Sequence, residues 1–182
     1  MFVHEGVLRE HVRESNRIEG IVATPQTPEY KGHLLAARMA ARGIVIDPNL
    51  MHAVLGRQIK GFSSFAGRYR THDLCVGDTQ LPRWQHVPTL MRYWHGLVEE
   101  FKTFKTLERD VAYMAHLLHV WLLCIHPWED MNGRNSRLVW NMLRVSRGLS
   151  WHIEYARNKR NYYRHIRAIE EQVFKKQNPH VY

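Results

Sequence analysis

Cysteine is scarce in this chain, and long apolar runs are missing. The two cysteines, Cys75 and Cys124, are too few for a disulfide framework and form no C-x-x-C metal motif. The most apolar stretch, residues 111–125, is too short to span a bilayer and is interrupted by two histidines. The N-terminus has no apolar core of signal-peptide length. We therefore expect a protein of a reducing, cytoplasmic compartment without a membrane partner.

Acidic residues are also in short supply. The chain has 17 Asp and Glu against 26 Lys and Arg, which gives a formal charge of +9. Such a charge attracts phosphates, nucleic acid or acidic protein surfaces without choosing among them. There are no repeats, and 182 residues with 45% hydrophobic content suffice for one core but not for two. We expect a single domain over residues 1–182.

Helical periodicity dominates the sequence. The predicted helices cover residues 5–19 (stopped by Gly20), 29–42 (ended by Gly43), 48 to about 59 (opened by Asp47-Pro48), 88–104, 106–125, 134–147 (ended by Gly148) and about 158–177. Residues 61–82 contain glycines and a Val-Gly-Asp turn and lack a helical period. Here a β-hairpin over about residues 69–81 is the only strand structure expected. The predicted fold is mainly α with one small hairpin.

A polar segment, HPWEDMNGRNSR at residues 126–137, directly follows the most apolar stretch. Its Asn132-Gly133 turn pair precedes a predicted helix. The N-terminus of a helix carries partial positive charge and unpaired N–H groups, which suit phosphate oxygens. Arg134 and Arg137 are three residues apart and share a helix face. Together these groups can form a cradle for a polyphosphate.

Two further side chains of this segment suit chemistry on a phosphate. Asp130 comes just before the cradle, where its carboxylate can hold Mg²⁺ against phosphate oxygens. His126, at the end of the buried helix, can accept a proton from an attacking hydroxyl group. These are the components needed to transfer a phosphorus-centred group. The spacing alone fits an ordinary polar loop at a helix start equally well.

The segment resembles the signature of the Fic family, the Fic/Doc-like enzymes, whose pattern is H-x-F-x-[D/E]-[G/A]-N-[G/K]-R-x-x-R. Six residues match in register: His126, Asp130, Asn132, Gly133, Arg134 and Arg137. Trp128 replaces the family's Phe, one core aromatic for another. Met131 stands where the family has Gly or Ala, in a loop that bends closely around phosphate. This departure bears on nucleotide affinity more than on the fold.

The resemblance covers roughly residues 60 to 177 and implies a Fic-type helical bundle. The hairpin at about residues 69–81 corresponds to the family's flap, which lies at the active-site mouth. In the family this flap docks an extended piece of the target protein by strand addition. We therefore expect residues 69–81 to dock a target protein, with a purely structural hairpin as the alternative.

A second motif lies near the N-terminus. Residues 15–20, SNRIEG, resemble the family's inhibitory motif [S/T]-x-x-x-E-[G/N], with Ser15, Glu19 and Gly20 in the matching positions. The motif is expected on a helix of about residues 5–20. The resemblance implies that Glu19 pairs with Arg137, which would otherwise hold the γ-phosphate of the nucleotide. ATP would then bind with its α-phosphate misaligned for in-line attack.

The two motifs together imply an autoinhibited protein adenylyltransferase, which transfers AMP from Mg²⁺-bound ATP to a Ser, Thr or Tyr hydroxyl of a target protein. The implied roles are general base for His126, Mg²⁺ ligand for Asp130, and phosphate contacts for Asn132, Gly133, Arg134 and Arg137. The same scaffold can also transfer a phosphoryl group, use another nucleotide, or remove AMP with Glu19 positioning water. A degenerate Fic fold that only binds a partner is the non-enzymatic alternative, favoured by Met131 and the charge of +9.

Other residues invite weaker interpretations. His116, His119 and His126 lie on or at the end of one predicted helix, but no Cys or carboxylate partner completes a zinc pattern, so we expect core or surface histidines. Tyr162 and Tyr163 lie among basic residues, a mixture that can indicate nucleic-acid binding. We favour a packing role for at least one of them, and nucleic acid is not an expected partner. Self-association stays open.

Overall fold

A computed structural model describes residues 3–182. Helices make up most of it: α1 (Glu5–Ile18), α2 (Pro28–Ala40), α3 (Pro48–Gly56), α4 (Val87–Thr103), α5 (Glu108–Ile125), α6 (Asn132–Ser146), α7 (Lys159–Ile169) and the short α8 (Lys175–Gln177). Short 3₁₀ turns occur at Phe62–Ser64, Trp84–His86, Ala156–Asn158 and Pro179–Val181. The prediction of a mainly α fold is confirmed.

The starts of α2 and α3 follow the capping chemistry that the sequence indicates. Thr27 Oγ1 accepts the N–H of Tyr30, Asp47 Oδ1 accepts the N–H of Asn49, and both helices carry proline in the first turn. Helix α3 ends at Gly56 rather than near residue 59 as predicted. The ring of Phe62 packs where a Cβ of residue 56 would lie. The chain therefore turns away after this close approach.

Helices α5 and α6 pack against each other at the centre of the molecule. Their buried apolar residues include Val111, Ala115, Leu118, Val120, Leu122 and Ile125 from α5, and Leu138, Val139, Met142 and Leu143 from α6. Nε1 of Trp94 on α4 donates to the carbonyl of Leu118, 2.8 Å away. Across residues 3–182, no helix combines the length and the apolar character that a bilayer crossing requires. Residues 126–131, between α5 and α6, are thus held between the ends of two firmly packed helices.

The predicted hairpin is present, with a shorter paired region than expected. Strands β1 (Cys75–Val76) and β2 (Thr79–Gln80) are antiparallel, with Cys75 opposite Gln80 and Val76 opposite Thr79. The rest of the predicted range, residues 69–74 and 81, lies outside the strands. We refer to residues 69–81 as the flap.

The last predicted helix contains a π-helical turn. This turn, Glu170–Phe174, lies between α7 and α8, so the helix predicted over about residues 158–177 is present from residue 159 to 177 but is not α-helical throughout. Ile169 and Phe174 are both buried and are five residues apart, a spacing that matches the i→i+5 bonding of a π turn. The α-helical period of the sequence does not predict such a π turn.

Candidate active site

His126 is the C-cap residue that follows α5, and it adopts a left-handed backbone conformation, with φ 50° and ψ 59°. The neutral imidazole has one N–H and one ring nitrogen that carries a lone pair. Burial lowers the pKa of His126 to about 4, although the Leu123 carbonyl, Glu19 and Asp130 oppose the shift. His126 is therefore neutral near pH 7, as a proton acceptor must be.

Met131 forms the N-cap of α6 and is also left-handed, with φ 62°. Its side chain is 4% exposed and packs in the hydrophobic core. The substitution of the family's small residue by Met is therefore accommodated on the core side of the loop. The backbone of Met131 is the strained part of this arrangement, because a left-handed conformation is unfavourable for residues other than glycine.

Asn132 locks the loop that precedes α6. Its Oδ1 accepts the N–H of Trp128 at 3.0 Å, and its Nδ2 donates to the carbonyl of Trp128 at 2.7 Å. Trp128 is fully buried, stacks on His52 and donates from Nε1 to Asn49 Oδ1. The amide of Asn132 is thus engaged within the loop. The backbone N–H of Asn132 therefore remains to make the predicted phosphate contact.

The two arginines of the motif are both buried. Arg137 donates from Nε to Ser15 Oγ at 2.9 Å, and from Nη2 to the Ser15 carbonyl at 3.0 Å and to Glu19 Oε1 at 2.5 Å. Arg134 makes only an ion pair with Asp130, with 3.8 Å between Nη2 and Oδ1. Arg134 Nε and Arg137 Nη1 are buried and have no hydrogen-bond partner within residues 3–182. Buried donors without acceptors suit an anionic ligand.

Glu19 lies at the C-cap of α1, yet its carboxylate reaches the start of α6. A Cβ at position 133 would overlap Glu19 Oε1, so Gly133 leaves the space that the carboxylate fills. Burial opposes the charge on Arg137, but the Glu19 carboxylate together with Tyr162 and Tyr163 outweighs it and raises the pKa of this guanidinium. Gly20 ends α1 with φ 74° and has no neighbour near a would-be Cβ. Of the three predicted inhibitory residues, Ser15 and Glu19 contact Arg137.

A cleft joins these groups to the flap. Its lining includes Glu19, His126 and Gly133 together with Val76, Thr79 and Leu81 of the flap. The flap therefore lies at the mouth of the cleft. Tyr163 also lines the cleft.

Tyr162 and the α5 histidines belong to the core behind this cleft. The Tyr162 ring lies 5.9 Å from the Arg137 guanidinium carbon, and its hydroxyl lies 3.0 Å from His119 Nε2. His119 is fully buried and stacks on Trp140. The packing role favoured for one of the two tyrosines thus falls to Tyr162, and His119 is a core histidine.

The sequence interpretation missed Arg70. This arginine is 1% exposed and donates from Nε to the carbonyl of His126 at 2.9 Å. It lies two residues after Arg68, which is exposed. In an extended segment, residues two apart lie on the same face, so the sequence pattern does not distinguish the buried arginine from the exposed one.

Asp130, the predicted metal ligand, fits a Mg²⁺ site of one particular kind. Asp130 Oδ1 accepts the N–H of Met131 at 2.5 Å, while 66% of the Asp130 side chain is exposed. The part of the chain that the structure describes has no group of three or more His, Cys, Asp or Glu placed to hold a metal. A single exposed carboxylate beside an anion cradle fits Mg²⁺ that takes its other ligands from phosphate and water.

Comparisons with known proteins agree with this arrangement. The model of the Fic/DOC family matches residues 46–143. The protein adenylyltransferase Fic of Aedes aegypti is 30% identical over 105 residues, which are 58% of this chain and 20% of the relative. A Fic domain containing signaling protein from Bacteroides thetaiotaomicron superposes with a TM-score of 0.73 at 17% identity, over 92% of this chain and 73% of that one. Fic-1 from C. elegans superposes with a TM-score of 0.66 at 19% identity, over 92% of this chain and 59% of that one.

This chain spans about a fifth of the length of the curated relative. The solved structures, at 17% and 19% identity, establish the fold. The family model covers more than half of the chain, including the whole segment from His126 to Arg137. The chain belongs to the Fic/DOC family.

Proposed function

We propose that this Fic domain is an autoinhibited protein adenylyltransferase, which transfers AMP from Mg²⁺-bound ATP to a Ser, Thr or Tyr hydroxyl of a target protein. The observation that carries the proposal is the contact of Glu19 with Arg137 of α6, since Glu19 also lines the cleft that His126 lines. The name of the Aedes aegypti relative, a protein adenylyltransferase, supports the same chemistry.

The phosphate chain of ATP would lie on the N-terminus of α6. The unpaired donors there, Arg134 Nε and Arg137 Nη1, supply fixed positive charge in a partly desolvated site. Gly133 permits close approach, since its missing side chain already leaves room for a carboxylate oxygen. A carboxylate oxygen at this place therefore stands in for a phosphate oxygen.

His126 would act as the general base. Its lone-pair nitrogen accepts the proton of the target hydroxyl while the hydroxyl oxygen bonds to the α-phosphorus of ATP. The bond between the α-phosphorus and the bridging oxygen breaks, and pyrophosphate leaves with the electron pair. The low pKa of His126, about 4 because of burial, keeps the imidazole neutral before the step.

Asp130 is the residue that would hold Mg²⁺. When bound, the ion neutralises charge on the phosphate chain. Asp130 contributes a carboxylate that accepts the Met131 N–H and is 66% exposed.

Glu19 would inhibit by competition for Arg137. The guanidinium is 1% exposed and already has three acceptors from Ser15 and Glu19. A γ-phosphate needs the donor that Glu19 occupies, so ATP bound in the presence of Glu19 is held in another position. In-line attack demands alignment of the α-phosphorus, and misplacement by about 1 Å can cost roughly 100-fold in rate.

The flap would dock the target. Its two short strands lie at the cleft mouth, and Val76 is about half exposed. An extended peptide can add to such a strand edge through main-chain hydrogen bonds. This would present a hydroxyl side chain toward His126.

The test uses ATP labelled either at the α-phosphate or at the γ-phosphate, with the wild-type chain and its Glu19→Gly variant. We expect α-label to appear on protein, at least about tenfold faster with Glu19→Gly, because a freed arginine restores about 1.4 kcal/mol or more of transition-state stabilisation. Glu14→Gln is the matched control, since Glu14 lies on the same helix and pairs with Arg17 instead. Transfer of γ-label would identify a kinase, and no label with either variant would favour a binding module.

Removal of AMP is the second candidate, favoured by the presence of Glu19 in the same cleft as His126. A carboxylate there can orient water for attack on the phosphorus of the AMP–protein ester. The bond between phosphorus and the side-chain oxygen then breaks, and AMP and the protein hydroxyl are released. Wild-type chain incubated with adenylylated protein distinguishes the directions. Release of AMP that is lost with Glu19→Gln would support hydrolysis as the activity of the Glu19-bound state.

A further inference from the structure

Arg70 connects the flap to the residues that precede α6. Its Nε donates to the carbonyl of His126 at 2.9 Å, and its backbone N–H donates to the carbonyl of Pro127 at 2.9 Å. Its Nη1 donates to the carbonyl of His72 at 2.9 Å, and its Nη2 donates to the carbonyl of Pro82. One residue thus binds both ends of the flap and two consecutive carbonyls at the end of α5.

This arrangement is costly for a residue that serves stability alone. The guanidinium is fully buried, and its nearest acid, Asp73, lies 3.9 Å away with 63% of its side chain exposed. Burial lowers the pKa of Arg70, and the Asp73 carboxylate opposes this shift. Desolvation of a buried charge is costly, and an apolar side chain of similar volume often serves stability as well. The guanidinium provides instead a fixed geometry among three carbonyl groups, and the Arg70 backbone N–H binds a fourth.

The geometry matters most at His126. That residue is left-handed, a conformation that costs roughly 1–2 kcal/mol for a residue with a Cβ. Arg70 holds two consecutive carbonyls there, that of His126 through its side chain and that of Pro127 through its backbone N–H. These bonds therefore fix the direction in which the His126 side chain leaves the backbone.

We propose that Arg70 is a positioning residue that fixes the imidazole of His126 relative to the flap. A target strand docked on the flap then places its hydroxyl at a set distance from the lone-pair nitrogen of His126. Because Arg70 contacts neither the cradle nor the cleft-lining groups of α6, its loss lowers the rate of transfer without weakening nucleotide binding. The predicted effect of Arg70 on the rate of AMP transfer rests on the proposed function.

The kinetic experiment compares Arg70→Met and Arg70→Lys with Arg68→Met, all in the Glu19→Gly chain. Arg68 is the control because it is two residues away, exposed and equally charged. For Arg70→Met we expect kcat to fall by about 100-fold while the Kd for ATP stays within about threefold. For Arg70→Lys we expect a loss of about tenfold or more, because a single ammonium cannot reach three carbonyls in fixed directions. Wild-type kcat in Arg70→Lys, or an equal loss in Arg68→Met, would overturn the proposal.

A second measurement needs no transfer reaction. The ring signals of His126 are followed by NMR against pH in wild type, Arg70→Lys, Arg70→Met and Arg68→Met, and they are assigned by their absence in His126→Asn. Loss of the nearby Arg70 charge is expected to raise the pKa of His126 in Arg70→Met and leave it unchanged in Arg68→Met. In Arg70→Lys the ring signals shift at constant pH, since the charge stays but the geometry changes. Unaltered His126 signals in a folded Arg70→Lys chain would overturn the proposal.

The two measurements separate the two proposals. If the Glu19→Gly chain with Arg70 intact transfers no AMP, the proposed function fails, and the NMR series still decides whether Arg70 positions His126. If Arg70→Met does not fold, Arg70→Lys carries both measurements. Circular dichroism and thermal unfolding establish which variants are folded.

Discussion

Glu19 Oε1 lies 2.5 Å from Nη2 of Arg137, which is 118 positions further along the chain. Ser15 accepts two more hydrogen bonds from the same guanidinium, one at its hydroxyl and one at its carbonyl. Ser15 and Glu19 are four residues apart and share one face of α1. A single turn of α1 therefore supplies every acceptor that Arg137 has within the described chain, and inhibition should respond to small changes in that turn.

Ser15→Ala should release the site in part. The variant loses the bond from Arg137 Nε to the hydroxyl and keeps the bonds to the Ser15 carbonyl and to Glu19. A lost hydrogen bond to a charged group costs roughly 1.5–3 kcal/mol when both partners are buried, but part of that loss is recovered by water or phosphate. We expect transfer of α-labelled AMP about fivefold faster than wild type and slower than Glu19→Gly, measured as an initial rate.

The double variant Ser15→Ala with Glu19→Gly serves as the control for this prediction. If Ser15 acts only by holding α1 against Arg137, it adds little once Glu19 is gone. A double variant much faster than Glu19→Gly alone would show that Ser15 restrains the site by another route.

The sequence predicted the helices well, because they depend on local spacing, and the helical period located α1 to α7. The roles of the residues in the motif from His126 to Arg137 stay a prediction, although His126 and Gly133 line one cleft with Glu19. The orientation of Met131 was not predictable, since a left-handed N-cap can direct a side chain to the core or to the ligand and only packing decides. The burial of Arg70 and the π turn were not predicted for the same reason, because both depend on contacts with distant segments.

His126→Asn should abolish transfer and preserve nucleotide binding. Asparagine tolerates the left-handed backbone of this position better than alanine does, so the substitution removes the base while disturbing the loop little. We expect a fall in kcat of at least about 100-fold, with the Kd for ATP within about threefold by calorimetry. Loss of ATP binding in a folded His126→Asn chain would mean that His126 contacts the nucleotide rather than the target hydroxyl.

Met131→Gly should destabilise the fold without improving nucleotide binding. Glycine relieves a left-handed strain of roughly 1–2 kcal/mol, but removal of a buried Met side chain costs roughly 2–5 kcal/mol. We expect the free energy of unfolding to fall by about 1–3 kcal/mol, measured by urea denaturation. The Kd for ATP should stay unchanged, because the side chain packs in the core. Markedly tighter ATP binding would instead place Met131 in the path of the phosphates.

Acid should weaken the packing of α1, and His11 should be one cause. The His11 ring is buried on α1, edge-on to the rings of His33 and Trp151. Burial and then the Arg137 charge lower the pKa of His11 from its ordinary value of 6.5 to about 3. Between these two values the unfolded chain binds a proton at His11 that the folded chain excludes. Stability from this residue is therefore complete above about pH 6.5 and declines as the pH falls toward 3.

His11→Phe keeps an aromatic ring and removes the proton site, so its stability should depend less on pH. One excluded proton corresponds to about 1.4 kcal/mol per pH unit. We therefore expect the unfolding free energy of His11→Phe to decline by about 1 kcal/mol per unit less than wild type between pH 6 and pH 4.5, measured by urea denaturation. His72→Phe is the control for the substitution itself, because more than half of the His72 side chain is exposed. Parallel slopes for wild type and His11→Phe would mean that other buried histidines, such as His33, account for the acid sensitivity.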